Sequence, residues 1–401
     1  MARYLLAVQL LAIGMLGVVS GVARAQSAPE SPIRIRSASL AQSGQDVVWT
    51  VQLRQSFSPG ALGRRHRSLC LLIERPGNGS VAGQLCVLGP QRGGSTPRVA
   101  YMPVTARGPG MAVVITATVT RPHASELTAS FLPTDVGWNY RPLQWQVLSA
   151  VNASGCTGPA HGRVGCYGVF PARPALAKLH TPQLVGCVPA GPSVVYSGSS
   201  ALHEIALTFD DGPWGNPPTI NFINLLAREH VPATFFEIGG QISQFDPTGS
   251  LERLMLADGD MIGDHTWSHP QMNQLAPAAQ TSQLELTVQA IRRATGGFTP
   301  CLWRPPYGAT DPQLESLARS LGLITVVWDV DPRDWALPGV GAIYSNVVGN
   351  ARNGAIVLQH FGGGPRYETL QALPQEIATL RARGYKFVTV AQLLGLRLIY
   401  K

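Results

Sequence analysis

The 401-residue chain is notable first for what it lacks. None of its six cysteines sits in a C-x-x-C pair, which argues against a zinc ribbon. No cysteine follows the N-terminal apolar run, which argues against a lipid-anchored form. Beyond that run no segment is apolar enough to cross a bilayer. There is no tandem repeat, and no low-complexity tract outside residues 152–200. No nucleic-acid-binding motif is recognisable, so nucleic acid is a poor partner for the chain. Acidic residues are scarce in the first half: through Cys187 there are 5 Asp and Glu against 17 Lys and Arg. From Val188 onward the sign reverses, with 18 against 14. The basic share, including Arg64, Arg65 and Arg67, could hold an anionic polymer such as a bacterial wall. It could equally serve only to keep an exported domain soluble.

What is present suggests export. Arg3, the apolar stretch from Leu5 to Val22 and the triplet Ala23-Arg24-Ala25 read as a secretory signal peptide over residues 1–25. The competing reading is an uncleaved anchor; the small residues before Gln26 favour cleavage. The mature protein is expected to be secreted or wall-associated, monomeric and without a membrane span. Six cysteines suit an oxidising compartment. Cys70 and Cys86 flank the turn signal Pro76-Gly-Asn-Gly79 symmetrically, so a hairpin would place them opposite each other. Cys156 with Cys166, and Cys187 with Cys301, are the remaining candidate pairs, and buried free thiols are the alternative.

Residues 26–151 read as a β-rich, sandwich-like domain. Val47, Trp49, Val51 and Leu53 alternate with Val48, Thr50, Gln52 and Arg54 in the pattern of a half-buried strand, and Val113, Ile115, Ala117 and Val119, then Leu143, Trp145 and Val147, repeat it. Residues 152–200, rich in Gly, Pro and Cys, read as a connector. From 201 to 401 the rhythm changes. Apolar runs at 205–209, 233–238, 261–265, 324–329, 355–360 and 386–390 alternate with amphipathic segments at 219–229, 278–294, 312–321 and 368–383. Asp311-Pro312 marks a helix start and Gly384 a stop. Such alternation predicts an α/β domain with a mainly parallel sheet, its active residues at the C-terminal strand ends.

Three stretches carry the chemistry: Thr208-Phe-Asp-Asp-Gly-Pro213, His265-Thr-Trp-Ser-His269 and Arg304-Pro-Pro-Tyr307. One helical turn would bring His265 and His269 to the same side. Two imidazoles and one carboxylate leave a zinc-like ion an open position for water, and the second carboxylate can take that water's proton. Singly, each stretch has an ordinary reading: Asp-Asp-Gly as a turn, the histidines as surface residues, Arg304-Pro-Pro as a rigid strand exit, His360 as a core histidine. Their joint occurrence, in order and each at a strand end, points to one hydrolytic site.

With Asp331-Pro-Arg-Asp-Trp335 and Leu358-Gln-His360, residues 204–394 resemble polysaccharide deacetylases of the NodB-homology type, carbohydrate esterase family 4. The resemblance implies a distorted (β/α) barrel, preceded here by the small all-β domain. It implies Asp211, His265 and His269 as metal ligands, Asp210 as base held by Arg304, and His360 as acid tuned by Asp334. It further implies an acetyl pocket drawing on Trp335 and Leu358, and an oxyanion donor at the backbone of Tyr307. The expected cofactor is Zn²⁺, with Co²⁺ or Mn²⁺ as substitutes. The expected substrate is a GlcNAc-type polysaccharide, peptidoglycan before chitin-like glycans. O-acetyl xylan hydrolysis, or glycan binding by a vestigial site, are the alternatives. Phe361-Gly-Gly-Gly364 departs from the family's usual acidic residue after the histidine, and is expected to line the sugar groove. Asp329 reads as structural, and His203 and His230 as surface residues.

Overall fold

The computed structural model describes residues 33–58, 62, 67–75, 80–91, 94–151 and 167–401. The signal peptide expected over 1–25, Arg64 and Arg65, the Pro76–Gly79 turn and the Cys156–Cys166 pair lie outside the described residues. The chain divides into two compact units, Met1–Pro182 and Gln183–Lys401.

In the first unit, Asp46–Leu53 alternates strictly, with Val47, Trp49, Val51 and Leu53 buried. It lies between Ile35–Ser43 and Glu126–Phe131, with Thr118–Thr120 completing the sheet. A second antiparallel sheet runs Tyr167–Ala177, Leu143–Val151, Arg67–Glu74, Val81–Leu88 and Arg98–Thr105. One apolar cluster takes Trp49, Leu127 and Phe131 from the first sheet and Leu69, Leu71, Leu85 and Trp145 from the second. Two sheets around one core make a sandwich. Cys70 and Cys86 face each other in register and are joined.

Two sequence expectations change here. The run from Val113 to Val119 is not one half-buried strand: it yields only Val113–Val114 and Thr118–Thr120, and both valines of the former are exposed. Alternation identifies a face, but not whether anything covers it. The expected connector over 152–200 also carries ordered strands. Tyr167–Ala177 pairs along Leu143–Val151 at the sheet's edge, where Pro171 and Pro174 are tolerated because the lost donors need no ladder partner. Leu184–Val188 pairs with Arg397–Tyr400 in the second unit.

Beside that antiparallel pair, the second unit is built on an all-parallel main sheet wrapped by helices. Its strands are β1 (Val194–Val195), β2 (Glu204–Gly212), β3 (Thr234–Glu237), β4 (Met261–Asp264), β5 (Leu302–Trp303), β6 (Ile324–Val326), β7 (Ala355–His360) and β8 (Lys386–Phe387). Their order is β1-β6-β5-β4-β3-β2-β7, with β8 against the start of β2. Past β6 the chain bridges to β7 through Val330 and Val357, so the sheet curls into a distorted barrel. The helices are α1 (Thr219–Glu229), α2 (Gly239–Phe245), α3 (Ser250–Asp258), α4 (Pro277–Thr295), α5 (Pro312–Ser320), α6 (Val340–Asn350), α7 (Tyr367–Ala382) and α8 (Val390–Leu393).

Strand β2 is buried on both faces, which is why it reads as an apolar run rather than an alternation. Phe209, Phe222, Phe235 and Phe361 pack in the core beside it, Phe209 stacked on Phe235 and Phe361 edge-on to Phe235. Each contributes about 1.5–3 kcal/mol by burial. Asp311 caps α5 by accepting from the Leu314 N–H at 2.9 Å, as its position before Pro312 predicts. Cys187 and Cys301 are joined, tying Leu184–Val188 to the entry of β5. Among the described residues no helix is long and apolar enough to cross a membrane.

Candidate active site

Adjacent residues of a strand normally point to opposite faces. Asp210 and Asp211 escape that rule. The β2–β3 register shifts between Asp210 and Gly212, and Asp211 adopts a left-handed backbone with φ 73°. This bulge turns the second carboxylate back toward the first. Opposite it, Gly362 and Gly363 press on Asp211: a Cβ on Gly362 would strike its carbonyl oxygen, and one on Gly363 would come 2.5 Å from Oδ2.

His265 directly follows β4. Its Nδ1 lies 2.8 Å from the Arg304 carbonyl, which can only accept, so Nδ1 carries the hydrogen and the Nε2 lone pair is free. That Nε2 lies 3.3 Å from Asp211 Oδ1, and His269 Nε2 lies 3.2 Å from the same oxygen. Asp211 Oδ1 is buried without a hydrogen-bond partner. One ligand atom from each of the three residues lies within 4.8 Å of the others. Burial alone would raise the Asp211 carboxyl, but when the neighbouring imidazoles are protonated, the hydrogen bonds of His265 and His269 and the charge of His265 and His360 outweigh it and hold it well below the usual carboxylate range. A carboxylate oxygen beside two imidazole Nε2 atoms is a donor set that fits a divalent ion such as zinc.

The predicted helical turn from His265 to His269 is absent. Thr266 and His269 both have positive φ, at 68° and 61°, so a tight loop presents the pair. Thr266 Oγ1 accepts the His269 N–H, Asp264 Oδ1 accepts the Thr266 N–H, and Gln283 accepts the Ser268 N–H. These polar anchors supply what helical spacing does not.

Arg304, fully buried after β5, donates from Nη1 to Asp210 Oδ1 at 2.8 Å and to Thr208 Oγ1 at 2.7 Å. Nε and Nη2 donate to the Val326 and Val327 carbonyls. The Phe236 ring lies 4.2 Å below the guanidinium. Burial lowers the Arg304 pKa while Asp210 opposes the fall, and the guanidinium keeps its charge. With Oδ1 engaged, Asp210 Oδ2 is the oxygen facing the ligands, 3.8 Å from His265 Nε2.

His360 ends β7, in register with Asp210. Its Nδ1 lies 2.7 Å from Asp334 Oδ1, and its backbone N–H donates to Asp334 Oδ2 at 2.8 Å. Burial would lower the His360 pKa, but Asp334, with Asp210 and Asp211 beyond it, raises it. Leu358 is buried in β7, whereas Trp335 is 47 % exposed and Tyr307 69 % exposed. The Tyr307 ring stands edge-on to His269 at 4.7 Å, on a left-handed backbone of φ 62°.

All the residues singled out from the motifs therefore belong to one end of the barrel or its immediate supports. Asp329 is structural: Oδ1 accepts the Ile356 N–H and Oδ2 pairs with Arg352. His203 and His230 are exposed and outside the site. Phe361 does not line a groove. It is fully buried against Phe235 and occupies the space beside Gly212, because an apolar ring after the last strand residue is drawn into the core. Sequence reasoning passed over Thr208, although its two-residue offset from Asp210 places it on the same strand face. It also passed over Thr369, for which no local signal exists.

Comparison with known proteins bears on this geometry. The polysaccharide deacetylase family matches residues 198–326. A chitooligosaccharide deacetylase of Bradyrhizobium is 37% identical over 210 residues, covering 49% of this chain and 94% of that protein. A peptidoglycan-N-acetylglucosamine deacetylase of Bacillus cereus is 39% identical over 195 residues, covering 47% of this chain and 87% of that protein. A peptidoglycan-N-acetylglucosamine deacetylase of Listeria monocytogenes is 36% identical, and the alignment spans only 40% of its length.

Proposed function

This chain belongs to the polysaccharide deacetylase family, and from that premise we propose that it is a secreted, metal-dependent N-deacetylase of GlcNAc-type polysaccharide, with peptidoglycan preferred and chitin-like glycans next. The observation that supports this most is the convergence of Asp211, His265 and His269 on one point, with Asp210 beside it and His360 at the end of the neighbouring strand. Asp211, His265 and His269 would hold the ion, with Zn²⁺ the first choice for an N₂O donor set. Bound there, it supplies Lewis acidity, polarising the acetamide carbonyl and making water more acidic.

The chain's own groups do the proton work. Asp210 takes a proton from the attacking water at Oδ2, the oxygen that Arg304 leaves free, as the water oxygen bonds to the carbonyl carbon. The main-chain N–H of Tyr307 is assigned to the developing oxyanion, a contribution of about 3–4 kcal/mol for such donors. An amine anion cannot leave. The C–N bond breaks as His360 passes its Nε2 proton to nitrogen, and Asp334 keeps that imidazole protonated and oriented through Nδ1. The products are acetate and a free amine. Trp335 and Leu358 are assigned to the acetyl pocket.

The test is acetate release from purified peptidoglycan, chitooligosaccharide and acetylated xylan, with metal and with chelator. Release from the first two that chelator stops is the expected result. Release from xylan alone would move the site to ester hydrolysis, and none from any glycan with metal present would reject the reading. The basic β-rich unit is proposed to hold the enzyme on wall glycan.

A further inference from the structure

Asp334 is fully buried, yet it carries three contacts. Two come from His360, one from the ring and one from the main chain. The third comes from outside every motif: Thr369 Oγ1 donates to Asp334 Oδ2 at 2.8 Å. Thr369 is 1% exposed and lies in the first turn of α7, whose positive end favours a nearby carboxylate. That turn is itself anchored. Arg366, just before α7, donates from Nε to the Gly362 carbonyl, from Nη2 to Gly363 and from Nη1 to Trp335. The start of α7 is thereby fixed to the loop that packs on Asp211 and to the exposed Trp335.

We infer that Thr369 is a positioning residue for proton delivery, acting on His360 through Asp334. The geometry carries the argument. Oδ1 of Asp334 meets the imidazole, and Oδ2 is shared by the His360 N–H and the Thr369 hydroxyl. With both oxygens engaged, the carboxylate plane cannot turn, so the imidazole presents Nε2 to the substrate in one orientation. Without the hydroxyl, Oδ2 keeps a single donor in a dry pocket. The carboxylate is then free to rotate away from Nδ1. Hydrogen bonds to buried charged groups are the strong ones, and removing one donor is felt in full.

This assignment rests on the deacetylase reading, and a two-substrate experiment separates the two. An acetamide needs its nitrogen protonated as it leaves; an activated aryl acetate releases a stable phenolate that needs no proton. With the metal-loaded full chain, Thr369→Val should lower kcat on a chitooligosaccharide about tenfold to a hundredfold with KM unchanged. On the aryl acetate the loss should stay within about twofold, because only proton delivery depends on His360. Thr369→Ser, which restores the hydroxyl, should recover most of the amide activity. Equal losses on both substrates, a serine variant as poor as valine, or unchanged amide turnover would each overturn the role of Thr369 while leaving the deacetylase reading in place. A wild-type protein inert toward both substrates would overturn the reading, and this assignment with it.

Discussion

The two units of the chain bury polar groups in opposite ways. The sandwich hides Gln84, Gln146 and Ser149, with Glu74 the one buried carboxyl among its described residues. The barrel hides Asp210, Glu237, Asp246, Glu252, Asp260, Asp264, His265, Arg304, Asp334 and Glu376. One core is an antiparallel sandwich and the other a parallel sheet wrapped by helices, and packing alone requires buried charge in neither. Burying a charge is costly unless it is paired, and a fold that only needs to stand avoids it. In the barrel Asp210, Glu237, Asp264, His265 and Arg304 gather where parallel strands end, while Asp246, Glu252, Asp260 and Glu376 lie on or beside helices and at a strand start. Register sets Asp210 beside His360 and Glu237 beside Asp264 at one level of the sheet. The sandwich is built for packing, and the barrel spends part of its stability on a reactive end.

The largest effects should come from the metal ligands. His265→Ala or Asp211→Asn should strip the bound ion, seen by metal analysis, and cut acetate release on the order of a thousandfold or more. Asp210→Asn should lose comparable turnover while keeping the metal, because the assigned ligands are Asp211, His265 and His269 and the base itself is not one of them. Retention of metal by His265→Ala would sink the ligand assignment. The sandwich's unfolding transition should be indifferent to all three.

Next comes Arg304→Leu. Removing the guanidinium leaves Asp210, Thr208 and two carbonyls without their donor in a buried site. Breaking a buried pair from one side costs about 3–5 kcal/mol. The barrel's transition should fall accordingly in a denaturant series; a loss below about 1 kcal/mol would mean the site relaxes or admits water.

A smaller effect should appear with pH. Burial pushes the carboxyls of Asp260 and Glu376 up to about 8, and burial with the neighbouring Asp246 carboxylate does the same for Glu252. These acids hold protons in the folded barrel that the unfolded chain releases above its ordinary carboxylate range. Their contribution is complete below about pH 4.5 and is lost as pH rises toward 8. His360, raised by Asp334, moves stability the same way across neutrality. Asp211 is lowered, so its contribution disappears only in acid and is constant over this window. The barrel's Tm should therefore drop by several degrees from pH 5.5 to 8.5, more steeply than the sandwich's. Parallel curves for the two transitions would break the contrast.

How much of this could be read in the sequence follows the same division. The reactive set was legible because its members lie in short contiguous motifs, each closing an apolar run. The strands that carry it were less so: β5 is only Leu302–Trp303, and β3 hides Glu237 inside what reads as an apolar run. Helices α2, α3 and α6 escaped because they begin beside glycines, at Gly239, Gly249 and Gly339, and α8 because its start at Val390 closes the apolar run read as a strand over 386–390. The loop that pairs His265 with His269 depends on left-handed residues held by Thr266 and Gln283, which periodicity cannot show. Thr369 stands nine residues past His360 in an ordinary helix start. Only the fold brings it to Asp334.

The smallest expected effect is also the sharpest test of the division. A fragment of residues 183–401 keeps Leu184–Val188 against Arg397–Tyr400 and retains the Cys187–Cys301 bond. It should deacetylate a soluble chitooligosaccharide within about twofold of the full chain, since every group assigned to the chemistry lies inside it. On insoluble wall its rate should fall, because the basic unit proposed to retain the enzyme is gone. A fragment starting at residue 195 is a poor substitute. It discards the strand and leaves Cys301 without its partner, losing a cross-link that spans 114 residues and that chain entropy values at about 4–5 kcal/mol. Equal retention of full chain and 183–401 on purified walls would leave the sandwich without the role proposed for it. A large loss on the soluble substrate would mean instead that the barrel's reactive end depends on the other unit, and the contrast between packing unit and reactive unit would have to be redrawn.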